Sequence, residues 1–212
     1  MRGLLDSRPQ SARPVAFIED CAIPVCMVGL LYALPNTQLT RRLAKEGRLH
    51  EGHDIMHEEC GGDQCTLGTN FDTKRPKRDI LADYKRILEQ VFDPTAYAGR
   101  LDRLASMLNR SDRRRELPEG HMHRQMGSLD TFYRIINAVP GAREAFWKTF
   151  VNCARANPAA LRFIVMLMAL YLHLGPFSRH IIAELDRRIA EIDEAERNQP
   201  AIAKPQFAAA TI

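Results

Sequence analysis

The chain lacks an apolar run long enough to cross a bilayer, which takes about 20 residues. Its most apolar stretch, Phe163 to Leu174, stops short of that. A secretory signal is missing too, because Met1 to Pro14 holds three arginines and two prolines but no continuous apolar segment. Aromatic residues are few, at 7%, and are not interleaved with the basic ones. That pattern excludes a nucleic-acid surface from the expected partners, despite a net charge of +4. No glycine loop placed to cradle phosphate, no nucleophile elbow and no internal repeat occur. Cysteine is sparse, five in 212 residues, and without a signal peptide the expectation is free thiols in a reducing compartment. These absences predict a cytoplasmic chain with no membrane span.

What is present is an ordinary globular composition, 45% apolar and 26% charged. Residues 1–16 read as a flexible arm. After them, Val25 to Leu34 is almost uniformly apolar, too short for a helix and too apolar for a strand with one wet face. It reads as a β-strand buried on both sides, as in a parallel sheet. Pro35 ends it, and Asn36 or Thr37 caps a helix in which Leu39 and Leu43 stack and Gly47 gives a left-handed stop. Nothing before this strand can pair with it, so it is expected to be an orphan.

Residues 50–75 show no sustained period and read as a long loop. Within it, His50, His53, His57, Cys60 and Cys65 are the ligand types zinc prefers, at spacings that could close a tetrahedral site. Asp54, Glu58, Glu59 and Asp63 make the same stretch a polar surface loop. From 76 to 197 the apolar spacing is helical. Ile80, Tyr84, Ile87, Leu88 and Val91 form one stripe, and Asp93-Pro94 starts a second with Tyr97, Leu101, Leu104 and Leu108. A third stripe runs through Met122, Met126, Leu129, Phe132, Ile136 and Val139 and a fourth through Phe146, Thr149, Phe150 and Cys153, and Asn157-Pro158 then pairs a cap with a first-turn proline. Leu161 to Leu174 is apolar nearly all round and predicts the most buried helix, ended by Gly175-Pro176. A last amphipathic helix is expected from about Ser178, and residues 198–212 read as a loose tail. The fold class is therefore mainly α: about six helices in a bundle, preceded by one strand.

The run Leu-Leu-Tyr-Ala-Leu-Pro-Asn-Thr-Gln-Leu-Thr-Arg-Arg-Leu-Ala-Lys-Glu-Gly-Arg-Leu, residues 30–49, resembles the end of the barrel in cobalamin-binding radical S-adenosylmethionine (radical SAM) enzymes. Asn70-Phe71, Ile80-Leu81-x-x-Tyr84 and Asp93-Pro94-x-x-Tyr97 resemble the C-terminal domain of the same proteins. The resemblance implies that residues 17–49 are a remnant of a truncated TIM-like barrel. It implies that Tyr32, Leu34, Pro35 and Asn36 face cofactor and substrate in an intact enzyme, and that the helical domain helps close that site. The family includes methyltransferases acting on unactivated carbons, with lipid-like substrates among them. Its cofactors are S-adenosylmethionine, a 4Fe-4S cluster and cobalamin. The cluster is held by Cys-x3-Cys-x2-Cys, which this sequence does not contain. The expected function is thus that of a C-terminal domain or fragment, without catalysis alone, partnered by a separately encoded barrel or by itself. The alternatives are a stand-alone helical interaction module and a small zinc-stabilised domain.

Overall fold

The computed structural model describes residues 12–50, 69–108, 130, 133, 136–137 and 141–198. Six α-helices lie among them: α1 (Ala12–Asp20), α2 (Gln38–Lys45), α3 (Lys77–Val91), α4 (Pro94–Met107), α5 (Arg143–Ala156) and α6 (Leu161–Asn198). The mainly helical expectation holds, and the described residues contain no strand, only one isolated antiparallel bridge between Leu49 and Phe71.

The main core is built by α4, α5 and the first half of α6. Tyr97, Phe146 and Tyr171 meet at its centre, with ring centroids 4.8 Å apart for the two tyrosines and 5.2 Å for Phe146 and Tyr171. Buried hydroxyls need partners. Tyr97 donates to the Leu167 carbonyl at 2.8 Å, and Tyr171 to the Phe92 carbonyl at 2.8 Å. A second core lies between α3 and the later half of α6, where Leu81, Tyr84 and Leu88 pack on Ile181 and Leu185. At about 1.5–3 kcal/mol per buried large apolar side chain, these two clusters carry most of the folding drive.

Capping follows the sequence at several places. Thr37 accepts from the Thr40 amide at 3.2 Å, Asp93 caps α4 through the Thr95 and Ala96 amides, and Gly47 turns left-handed after α2 with φ of +66°. Asn157 departs from expectation. Its side chain does not cap the helical turn that follows, but donates to the carbonyls of Ala105 and Leu108 and so closes the end of α4.

Three further expectations are corrected. Helix α1 starts at Ala12, inside the stretch read as an arm, because Ile18 is buried and Glu19 is tied to α4. Gly175-Pro176 does not end a helix, and α6 runs through it for 38 residues. Pro176 removes one ladder hydrogen bond, at a cost of about 3 kcal/mol. Ile181 and Leu185 packing on α3, with the Arg78–Asp193 and Lys85–Asp186 ion pairs beyond them, offset that loss. Gly175 is there for another reason: a Cβ would lie 3.0 Å from the Tyr171 ring. Lastly, α6 is long and apolar enough to cross a membrane by length and composition, although 33% of its apolar window is buried in the protein.

Candidate functional site

The stretch read as an orphan strand is where the chain offers something unsatisfied. Residues 25–34 form an irregular ribbon, without a ladder, laid across the helices. Its side chains nevertheless alternate. Cys26, Val28, Leu30 and Tyr32 turn inward, and Val28 and Leu30 join the α3/α6 core. Val25, Met27 and Leu31 turn out and are 38%, 97% and 61% exposed. The expectation of burial on both faces is therefore corrected: one face packs on the bundle and the other lies open.

Side chains anchor the ribbon in place of neighbouring strands. At its start is Arg100 of α4, fully buried. It donates to the Ile23 carbonyl at 3.0 Å, to the Val91 carbonyl and to the Glu19 carboxylate, with its guanidinium 5.5 Å above the Tyr97 ring. Arg103 adds bonds to the Glu19 carbonyl at 2.9 Å and to its carboxylate at 2.6 Å. In the middle, Tyr84 donates to the Val28 carbonyl at 2.9 Å. At the end, Asn70 clasps Ala33 from both sides. It accepts from the Ala33 amide at 2.8 Å and donates to the Ala33 carbonyl at 3.0 Å. The Leu49–Phe71 bridge holds Asn70 in position, flanked by the His50 amide to Asn70 carbonyl bond of 3.0 Å. Between these anchors, the amides from Val25 to Leu31 have no intramolecular hydrogen-bond partner among the described residues.

Asn70 belongs to the Asn70-Phe71 pair that carries the family resemblance, though nothing in the sequence gives it a role, and Arg100 does not stand out at all. Position 100 follows Tyr97 by three on the inward face of α4, and a charge at that phase is the signal that could have found it.

Of the residues expected to face a substrate, Tyr32 is half-buried, while Leu34, Pro35 and Asn36 are exposed in a tight turn. Asn36 is left-handed, with φ of +64°, a conformation asparagine tolerates. The Leu34 carbonyl accepts from the hydroxyls of Thr37, at 2.9 Å, and Thr40. The turn brings these four residues to one end of the ribbon. Of the proposed zinc ligands, His50 is paired with Asp72 at 2.9 Å. His53, His57, Cys60 and Cys65 lie outside the described residues.

A cluster of iron and sulfide needs converging thiolates. The described thiols do not converge: Cys21 is exposed after α1, Cys26 is half-buried on the ribbon, and Cys153 is buried in α5. Burial raises the thiols of Cys26 and Cys153 above their ordinary value and keeps them protonated. No group of three His, Cys, Asp or Glu among the described residues could hold a metal ion. The described residues therefore do not fit the cluster.

Residues 37–187 match the model of a family described as a domain of unknown function, DUF4070. The chain belongs to this family. DUF4070 is found in cobalamin-binding radical SAM enzymes, and the chain is the C-terminal domain type of such an enzyme. It is 37% identical over 97 residues to an uncharacterized methyltransferase of Synechocystis, covering 45% of this chain and 17% of that protein. It is 35% identical over 86 residues to the hopanoid C-2 methylase of Rhodopseudomonas palustris, covering 41% of this chain and 14% of that protein. The chain thus spans less than a fifth of the length of either curated relative in the matched region. No solved structure matches it. The match to DUF4070 begins one residue after Asn36, so the ribbon lies outside it.

Proposed function

We propose that the chain acts as the C-terminal helical part of a cobalamin-dependent radical SAM enzyme of methyltransferase type, and that its ribbon adds a strand to the sheet of the enzyme's barrel. The observation that carries this reading is the open edge at Val25 to Leu31. Amides without a partner among the described residues, beside exposed apolar side chains in alternation, form a template for strand addition. The helices supply a rigid support on one face, and the barrel supplies the hydrogen bonds and the other face.

In that assembly Tyr32, Leu34, Pro35 and Asn36 lie at the carboxyl end of the added strand, the end where barrels bind ligands. They would line the mouth of the site, and α2 with the helices behind it would help close it. Cluster, S-adenosylmethionine and cobalamin belong to the barrel and the parts before it, so the chain alone transfers no methyl group. A reducing, cytoplasmic setting suits its thiols.

The test is co-purification of the chain with a radical SAM barrel that ends before its last strand. A stable one-to-one complex is expected, and Met27→Lys, at a position 97% exposed, removes it without changing the melting temperature of the chain. A chain that ignores such a barrel, or a complex indifferent to Met27→Lys, contradicts the reading. The stand-alone module, the second reading, would bind partners through the same edge but leave the truncated barrel alone.

A further inference from the structure

On its outward face the ribbon carries Val25, Met27, Gly29 and Leu31, so that Gly29 sits between two long, exposed apolar side chains. A glycine in an ordered segment has two common causes: a backbone that turns left-handed, or a neighbour that leaves no room for a Cβ. Gly47 and Gly141 show the first, with φ of +66° and +77°, and Gly175 shows the second, 3.0 Å from the Tyr171 ring. Gly29 shows neither. Its φ lies outside the left-handed region, and a Cβ built on it meets nothing within 4 Å. Among the described residues, nothing asks for a glycine there. The residue nevertheless has a cost, since glycine loses the most conformational freedom on ordering and leaves a gap in the apolar face.

The following inference rests on the reading that the ribbon joins a barrel. The ribbon's inward face is occupied, because Val28 and Leu30 pack into the α3/α6 core. In a β/α barrel the helices cover the outer face of each strand, and the other face fills the interior with layers of side chains. The face with Val25, Met27, Gly29 and Leu31 is then interior wall. Gly29 lies five residues before Leu34, about 17 Å along an extended chain. That depth is below the mouth, in the part of a barrel that its own side chains pack. Such interiors are close-packed, so a gap of this kind is filled by a neighbour.

We propose that Gly29 is a hole that receives one large apolar side chain from the barrel's interior layer, and that this fit sets the register in which the strand joins. Met27 and Leu31 make the walls of the hole apolar, so a charged or amide side chain would be buried there without a partner. A slip of two residues would bring Met27 or Leu31 against the incoming side chain and overpack the layer. A slip of one residue would turn Val28 and Leu30 away from the helices.

The test is the dissociation constant of the full chain with a radical SAM barrel lacking its last strand, measured for the parent and two variants. Gly29→Ala should weaken binding about tenfold and Gly29→Leu at least about a hundredfold, because the added atoms meet a filled space. Both variants should keep or raise the melting temperature of the chain alone, since no atom beyond the chain neighbours stands within 4 Å of the new Cβ. Three results would overturn the inference while the barrel reading stands. They are Gly29→Leu binding as tightly as the parent, Gly29→Leu binding more tightly by filling an empty space, and a lower melting temperature for Gly29→Ala, which would put the cause of the glycine inside the chain. A parent chain that ignores the barrel fails the reading itself, and this inference with it.

Discussion

Asn70 and Arg100 each do for the ribbon what a neighbouring strand does in a sheet, by meeting its main chain with side-chain hydrogen bonds. Asn70 is only 4% exposed, and both of its bonds go to one residue. Asn70→Ala leaves the amide and carbonyl of Ala33 buried without partners, at about 1–3 kcal/mol each. A loss of about 2–4 kcal/mol in urea unfolding is expected, and a loss below 0.5, roughly the scatter of a surface change, would show that water replaces the clasp. Arg100→Met removes the donors that serve Ile23, Val91 and Glu19. Charged hydrogen bonds of this kind contribute about 1.5–3 kcal/mol each, so the substitution should cost at least about 3 kcal/mol. Glu19 is part-exposed and retains Arg103, so the carbonyls are the main losers.

At the level of the elements, α6 is the one whose course the sequence concealed. Apolar spacing reports the inward stripes of α3, α4 and α5 correctly in the main, because Tyr84, Leu88, Tyr97, Leu101, Phe146 and Cys153 are all buried. It misleads over residues 161–198. Gly175-Pro176 reads as a stop by local preference, and the tertiary packing that overrides it involves α3, about a hundred residues away. Met166 and His173 read as core residues because the helix is apolar on all sides, yet both are exposed. Periodicity cannot separate an inner apolar face from an outer one. The turn at Pro35-Asn36 and the caps were legible because their causes are local. The clasp and the buried arginine were not, since each joins segments far apart in the chain.

Three expectations about α6 follow. Gly175→Ala places a methyl 3.0 Å from a Tyr171 ring that its hydroxyl bond to Phe92 holds still. Overpacking of about 1–3 kcal/mol outweighs the gain in helix propensity, about 1 kcal/mol, so thermal melting should show a net loss. Pro176→Ala has the opposite sign and raises the melting temperature. Glu184 is held by Arg187 and Arg188 through hydrogen bonds that lower its pKa from 4.5 to about 2. A depressed carboxylate stabilises the folded state above the unfolded pKa, and that contribution fades as the pH falls from 4.5 through about 2. Helicity followed by circular dichroism should therefore decline across that window, and less so in Glu184→Gln, which has no proton to gain. Equal profiles for the two proteins would remove the ion pairs from the account.

At the scale of the molecule, the two cores and the ribbon give a support with one edge left open among the described residues. Exposed, unpaired edges tend to find each other. The chain alone should self-associate at raised concentration, and Met27→Lys with Leu31→Lys should return it to a monomer in size-exclusion chromatography. A clean monomer before any substitution would mean that the edge is already covered. Anaerobic treatment with iron and sulfide should give the isolated chain no cluster absorbance, since its described thiols are scattered. The most direct test is hydrogen exchange at the ribbon's amides, from Val25 to Leu31, in the chain alone and with a barrel lacking its last strand. We expect exchange close to that of an unstructured peptide in the monomeric chain and protection of about a hundredfold or more in the complex. Slow exchange in the monomer, or no change on adding the barrel, would contradict the account.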